Sequence, residues 1–327
     1  MAPSTTSPAA DQRGLLRNLL ANNHFDYFEL DQVVQLDVLL FPIMRSVALL
    51  GTGLLGESIG RRLLQQGVSL FVWNRSQERS NALIDAGAQA LSSPCEAPRS
   101  CNSVITVLRD GPVTAAVLKD IGPLDGSTLI TMGTVGITES QSLARQAAQQ
   151  GGHYLEAPVL GSKPQALNGS LLVMAGGEAQ VFEEQQPLLS HLSQEPLLVG
   201  PVGSGAATKL ALNQLIASLT HSFSLSLQLI QRAGVPVETF MNILRTSALY
   251  ATTFDKKLQR MLDHNYADPN FSTALLRKDL RLFLEEATTA GLQEHGLTGL
   301  LSLLEQAKGT DLDEQDYCAL HELTVLK

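Results

Sequence analysis

A parallel α/β domain followed by an all-helical domain is the fold class predicted by this 327-residue sequence. Three features carry the expectation. From Val47 to about residue 203, short apolar runs alternate with helix-like stretches. From Ser204 onward strand punctuation disappears, and a 3.6-residue period dominates, as in AATKLALNQLIASLTHSFSLSLQLIQRAG (206–234). The first two apolar runs enclose three glycines, in VALLGTGLLGESIGRRLLQQGVSLFVWNRS (47–76), where a strand must turn into a helix.

The chain before Val47 has a different texture. MAPSTTSPAADQR carries the Pro/Ser/Thr/Ala bias of a disordered tail. VVQLDVLLFPIM (33–44) is interrupted by Asp37 and Pro42 and followed by Arg45, so it is too short and too charged to span a bilayer. It also does not sit at the terminus as a leader would. Residues 1–44 are therefore expected to be a disordered or non-native extension, with Met44 as the functional start.

Val47–Leu50 reads as a buried strand, Glu57–Gln66 as an amphipathic helix ending at Gly67, and Ser69–Trp73 as the next strand. Between them Gly51, Gly53 and Gly56 form GxGxxG. In a dinucleotide fold the first glycine permits the tight turn, the second lets backbone N–H groups approach a pyrophosphate, and the third lets helix and strand pack closely. The diphosphate then rests on the positive end of the helix dipole. A glycine-rich turn between core elements is the bland alternative, but the strand–turn–helix–strand context favours the nucleotide. The α/β half is thus expected to be Rossmann-like, with Gly51, Thr52, Gly53, Leu54, Leu55 and Gly56 as the cofactor cradle.

The end of the second strand reads the ribose. A carboxylate there would accept from the adenosine 2′-OH and repel a 2′-phosphate. The sequence places Asn74, Arg75 and Ser76 there, with Arg79 one turn on. A guanidinium pairs bidentately with phosphate, which predicts NADPH over NADH; the alternative is a solvated surface arginine. SVITVLRD (103–110), STLITMGTV (127–135), HYLEAPVLGS (153–162), SLLVMAGG (170–177) and EPLLVGPVG (195–203) supply further strands, setting the expected domains at 45–203 and 204–327.

GPVGSGAATKLALNQL (200–215) places Gly205, Lys209 and Asn213 at spacings of four, on one helix face. Gly205 is expected to leave an opening into which Lys209 projects, beside the Asn213 amide. Apolar neighbours would lower the lysine pKa towards neutrality and fit it for proton transfer. On this helix alone, a snorkelling surface lysine with a capping asparagine reads equally well.

Composition excludes several classes. The net charge of −9 argues against nucleic acid or an anionic membrane as partner. Three cysteines (Cys95, Cys101, Cys318), none in a CxxC pair, fit a reducing, cytoplasmic setting. Seven scattered histidines without HxxxH or HExxH predict no metal site.

Four blocks, LGTGLLG with WNRS, EAPVLGSKPQALNGSL, GSGAATKLALN and FSTALLRKDLRL, resemble the β-hydroxyacid dehydrogenases (3-hydroxyisobutyrate dehydrogenase-like), and within them the glyoxylate and succinic semialdehyde reductases. The resemblance runs from about Met44 to the C-terminus. It implies a helical domain that contributes to dimerisation, in a homodimer or homotetramer. It also implies hydride transfer to a small carbonyl compound with a lysine as general acid. On that likeness Lys209 is the catalytic lysine and Asn213 its helical partner. Thr134 lines the nicotinamide side, Val107 and Leu108 border the cofactor, and Lys278 reaches it. Leu160, Gly161, Ser162, Phe271 and Asp279 face the substrate, with Phe271 and Asp279 two turns apart on one helix face as a lid. Two positions depart from the family pattern: Leu160 and Gly133 stand where it has serines. A leucine cannot donate to a substrate carboxylate, so Ser162, Lys163 or the Gly161 N–H must compensate, or the carbonyl compound is larger or more apolar.

The expected activity is NADPH-dependent reduction of a small aldehyde or 2-oxo acid. An imine reductase, which usually replaces the lysine with Asp or Tyr, and a non-catalytic NADP-binding relative, which typically loses it, are both disfavoured by Lys209. Decarboxylating phosphogluconate oxidation needs a longer helical region.

Overall fold

Backbone pairing begins where the apolar texture begins. The computed structural model describes residues 46–325, and the expectations placed on residues 1–44 fall outside them. Strands β1 (Ser46–Leu50), β2 (Ser69–Trp73), β3 (Gln89–Ala90), β4 (Ser103–Thr106), β5 (Thr128–Thr131) and β6 (His153–Glu156) run parallel in the order 3-2-1-4-5-6. Strand order reverses direction between β1 and β4, and the crevice beyond their carboxyl ends is where this topology receives dinucleotides.

Helices α1 (Leu54–Gln65), α2 (Gly111–Ile121) and α3 (Ile137–Gln149) cross over between strands. Side chains alternate between the two faces of β1: Val47 and Leu49 join one core with Ile59 and Leu63, whereas Ala48 and Leu50 join the other with Val104 and Leu118. Burial on both faces is why β1, β4 and β5 read as continuous apolar runs rather than alternating ones.

The expected strand over 153–162 is two strands. Ala157 and Pro158 interrupt it, and Pro158 has no N–H to give to a ladder. The chain turns there into β7 (Val159–Leu160), followed by α4 (Lys163–Asn168) and β8 (Leu172–Gly177). β8 runs antiparallel to both β6 and β7, and β9 (Leu197–Gly200), reached through α5 (Ala179–Leu189), pairs parallel to β8.

Strands end at Gly200. α6 (Ser204–Arg232) then runs for 29 residues as the axis of the helical part, with α7 (Val237–Thr246), α8 (Thr252–Leu262), α9 (Thr273–Thr289) and α10 (His295–Glu305) around it. Two apolar clusters hold this part: Ala217 with Leu276, Leu280 and Leu300, and Phe223 stacked on Phe254 at 4.7 Å with Leu227 and Met241. From Ser46 on, both parts belong to one compact unit.

Two local expectations need correction. α1 begins at Leu54, not Glu57, so Gly56 lies inside its first turn. Phe271 precedes Ser272, the N-cap of α9, so it does not share a helix face with Asp279. Its ring packs 5.9 Å from that of Tyr317, and its carbonyl accepts from the Tyr317 N–H. Polar Ser272, whose hydroxyl accepts from Leu275 N–H at 3.3 Å, stops the helix from reaching back to it.

Candidate active site

The turn after β1 is built from close approaches. Gly51 has φ +103°, and a Cβ there would lie 2.4 Å from the Val107 carbonyl oxygen, so only glycine fits. A Cβ on Gly56 would lie 2.0 Å from the Gly51 carbonyl oxygen. Gly53 is different: no atom lies within 4 Å of the position its Cβ would take. The open face of this turn thus coincides with the start of α1, whose first N–H groups have no helical partner and whose dipole favours an anion. A cofactor pyrophosphate fits that cradle.

Neighbouring residues hold the turn in shape. Asn74 Oδ1 accepts from the Thr52 N–H at 3.1 Å, and Asn74 Nδ2 donates to the Ser76 carbonyl at 2.9 Å, tying the turn to the end of β2. Thr52 Oγ1 lies 3.3 Å from Ser80 Oγ. Val107 and Leu108 pack beneath Gly51 and Gly56 as a buttress, while Leu54 is exposed and Leu55 half-buried. Arg75 and Arg79 are exposed beside this turn, and no carboxylate pairs with either among the described residues.

The loop after β5 packs against the loop after β4. A Cβ on Gly133 would lie 2.4 Å from the Leu108 carbonyl oxygen, so the loops after β4 and β5 touch there. The same contact explains why serine is absent at this position. Half-buried Thr134 follows, and its carbonyl accepts from Lys278 Nζ at 2.8 Å. Lys278 also donates to the Arg109 carbonyl at 2.9 Å and pairs with Asp279 Oδ1 at 2.8 Å. Three oxygens therefore surround its ammonium, and Lys278 ties the loops after β4 and β5 to α9 through two of their carbonyls.

Asp279 and Asn213 are buried, with 1% and 2% of their surfaces exposed. Asn213 Nδ2 donates to Asp279 Oδ2 at 2.5 Å, and Asn213 Oδ1 is buried without a partner. Asp279 thus meets Asn213 through one oxygen by a hydrogen bond and Lys278 through the other by an ion pair without a hydrogen bond. One turn before Asn213 stands Lys209, half-buried and without a hydrogen bond among the described residues. Burial pushes its pKa down to about 8, with the Asp279 charge raising it and the Lys278 charge lowering it. This lysine is therefore not a solvated surface group.

Gly205 does not open a space. A Cβ there would lie 2.5 Å from the Met174 carbonyl oxygen and 3.1 Å from Glu156 Oε1. The glycine lets the start of α6 press onto β8 and onto Glu156, which the sequence reading missed. Glu156 is 1% exposed, and its Oε1 accepts from the N–H groups of Gly203 (2.8 Å) and Gly205 (2.6 Å). Ser140 Oγ donates to its other oxygen, and Tyr154 OH lies 2.9 Å from the same hydroxyl. Burial raises the Glu156 pKa against these donors. A lone carboxylate in the otherwise apolar run HYLEAPV was the available signal, since such a group must find donors once buried.

In the segment after β6, Leu160 is half-buried on β7 and Gly161 has φ +136°. Both the N–H and the hydroxyl of Ser162 go to Gln165 Oε1, at 3.0 and 2.8 Å. Ser162 is thus the N-cap residue of α4, with its hydroxyl and N–H both held by Gln165. Phe271 faces the helical core. Among the described residues no group of three His, Cys, Asp or Glu could hold a metal ion, and no helix is long and apolar enough to cross a membrane.

Known proteins match both parts of the chain. The family model described as the NAD binding domain of 6-phosphogluconate dehydrogenase matches residues 46–200. The one described as NAD-binding of NADP-dependent 3-hydroxyisobutyrate dehydrogenase matches residues 203–324. Glyoxylate/succinic semialdehyde reductase 1 of Arabidopsis thaliana is 30% identical over 281 residues, covering 84% of this chain and 97% of that protein. The human cytokine-like nuclear factor N-PAC is 27% identical over 289 residues, 86% of this chain but 51% of that protein. Among solved structures, 3-hydroxyisobutyrate dehydrogenase of Mycobacterium tuberculosis with L-serine superposes with a TM-score of 0.76 at 21% identity, over 86% of this chain and 99% of that one. An imine reductase from Pseudomonas sp. gives 0.57 at 23% identity over 86% and 99%. At these identities the two structures speak for the fold alone.

The glycine turn makes a paired prediction. Gly56→Ala should lower unfolding stability by about 1–3 kcal/mol or more in denaturant titrations, because the backbone oxygen of Gly51 has to move. Gly53→Ala, at φ −69° and ψ −171°, should keep parental stability yet weaken NADPH binding measured by fluorescence titration. Equal NADPH affinity in Gly53→Ala and the parent would remove the pyrophosphate from this turn.

Proposed function

This chain belongs to the 3-hydroxyisobutyrate dehydrogenase-like family of NAD(P)-dependent hydroxyacid dehydrogenases, and on that premise we propose that it is an NADPH-dependent reductase of a small aldehyde or 2-oxo acid. Lys209 carries the assignment: a half-buried amine whose pKa burial lowers to about 8, one turn before Asn213 on α6. Residues 45–203 hold the cofactor, and residues 204–327 supply the lysine, substrate contacts and a dimerisation surface. The exposed apolar side chains Leu215, Leu225 and Leu229 on α6 support a homo-oligomer.

The nicotinamide, when bound, would supply the hydride. Gly51 to Gly56 would receive its pyrophosphate, with Val107, Leu108 and Thr134 bordering the ring and Asn74 to Ser76 the ribose. The protein's own chemistry is proton delivery. Protonated Lys209 hands a proton from Nζ to the carbonyl oxygen as negative charge develops there. Asn213, fixed by Asp279, keeps its unpaired Oδ1 in the same buried site as a further polar contact for lysine or substrate. Because Lys209 must be charged to act, the reaction runs best below its pKa and slows as pH rises through it.

Arg75 supports the 2′-phosphate preference, since a free guanidinium stands where a carboxylate would otherwise select NADH. Leu160 shapes the substrate end: with Ser162 committed to Gln165, the segment offers less to a carboxylate and favours a more apolar carbonyl compound.

Three variants and a pH profile test this assignment. Arg75→Asp should cut the NADPH-over-NADH ratio of kcat/KM by about 10–100-fold, the worth of a charge-assisted contact; equal kcat/KM for both cofactors in the parent would contradict the preference. Leu160→Ser should raise kcat/KM for glyoxylate or succinic semialdehyde about tenfold, and no gain in an already efficient parent would assign carboxylate binding elsewhere. Lys209→Ala should lose about 10²–10⁴ in kcat while keeping NADPH affinity. In the parent, kcat/KM for reduction should fall as pH rises through about 8, the limb set by the Lys209 ammonium. Lys209→Ala should lack this limb; full activity with an unchanged pH profile would end the general-acid role.

A further inference from the structure

α9 grips the loop between β5 and α3 at two points, and only one involves the Lys-Asp pair that the sequence singled out. Lys278 takes the carbonyl of Thr134. Two turns further along the same helix, Glu286 Oε1 accepts from the N–H groups of Ile137 at 2.7 Å and Thr138 at 3.3 Å. Eight residues of helix rise about 12 Å, enough to span the stretch from Thr134 to the start of α3.

The two contacts are matched in sign. A cation meets a carbonyl, and a carboxylate meets the orphan N–H groups at the positive end of α3. Glu139 takes the remaining Gly136 N–H at 2.8 Å, and its carboxylate lies against Gly111 at the start of α2. The segment so held carries Gly133 and Gly136, which leave the backbone soft. It touches the loop after β4 at Leu108, where a Cβ on Gly133 would stand 2.4 Å from the carbonyl oxygen. A Cβ on Gly136 would stand 3.0 Å from Glu286 Oε1, so this glycine also admits the carboxylate.

We propose that Glu286 is a positioning residue for the cofactor-facing loop, acting with Lys278 to set Thr134 against the nicotinamide end of the cleft. The inference rests on the reductase reading for what the loop faces, and on the hydrogen bonds above for the grip. Its requirement is one of reach: an acceptor at the end of a side chain as long as glutamate.

Two variants separate reach from charge. Glu286→Gln keeps the length and an acceptor oxygen but loses the charge, whereas Glu286→Asp keeps the charge and falls one methylene short of Ile137. Glu286→Asp should raise the Kd for NADPH about three- to tenfold, read by NADPH fluorescence. It should also change the primary deuterium isotope effect measured with NADPH deuterated at C4. Glu286→Gln should stay within about twofold of the parent in both. Parental Kd and isotope effect in Glu286→Asp, whatever happens to Tm, would overturn the proposal, as would Gln behaving worse than Asp. If no carbonyl compound is reduced by the parent, the reductase reading falls by itself and the ranking of NADPH affinities still decides the role of Glu286.

Discussion

A buried carboxylate has to be answered on both oxygens, and Asp279 is the buried carboxylate around which this cleft is arranged. Asn213 answers one oxygen and Lys278 the other. Through Asn213 it reaches α6, the helix that carries Lys209. Through Lys278 it reaches the carbonyls of Arg109 and Thr134, on the loops after β4 and β5. The helix that carries Lys209 and the loops after β4 and β5 are therefore registered to one another by a single continuous polar chain. In an interior of low dielectric, breaking either contact strands a charge, so the arrangement tolerates little drift.

A second buried carboxylate fixes the start of the same helix. Glu156 projects from β6 and receives the first N–H groups of α6, while Ser140, itself hydrogen-bonded with Tyr154, donates to its other oxygen. Gly205 and Gly176 are small because Glu156 lies against them. α6 is thus pinned to the sheet at its start and to α9 two turns later, with Lys209 between the two anchors. The sheet supplies the remaining constraint, since the parallel pairing of β1 with β4 brings the glycine turn against the loop after β4.

Fold class and much of the cleft were legible in the sequence because they rest on local rules. Continuous apolar runs announced strands buried on both faces, and GxGxxG announced a turn in which Gly51 and Gly56 meet backbone oxygens. Spacing of four put Lys209 and Asn213 on one face. Long-range partners were illegible. Nothing local says that Gly205 abuts Glu156, that Ser162 is consumed by Gln165, or that Glu286 reaches Ile137, 149 residues earlier. Periodicity also placed Phe271 on the helix of Asp279, but capping by Ser272 ended that helix first. Asp279 matched a substrate-facing position in the resemblance, but its partners Asn213 and Lys278 lay beyond any local pattern.

The dependence of Lys209 on Asp279 is the most direct measure of this account. Asp279 raises the lysine pKa, while burial and Lys278 lower it. Removing the charge in Asp279→Asn leaves only the lowering influences. The alkaline limb of the pH profile of kcat/KM for carbonyl reduction should then move below the parental value of about 8. An alkaline limb that stays in place, or moves upward, would show that Asp279 does not hold the charge of the proton donor.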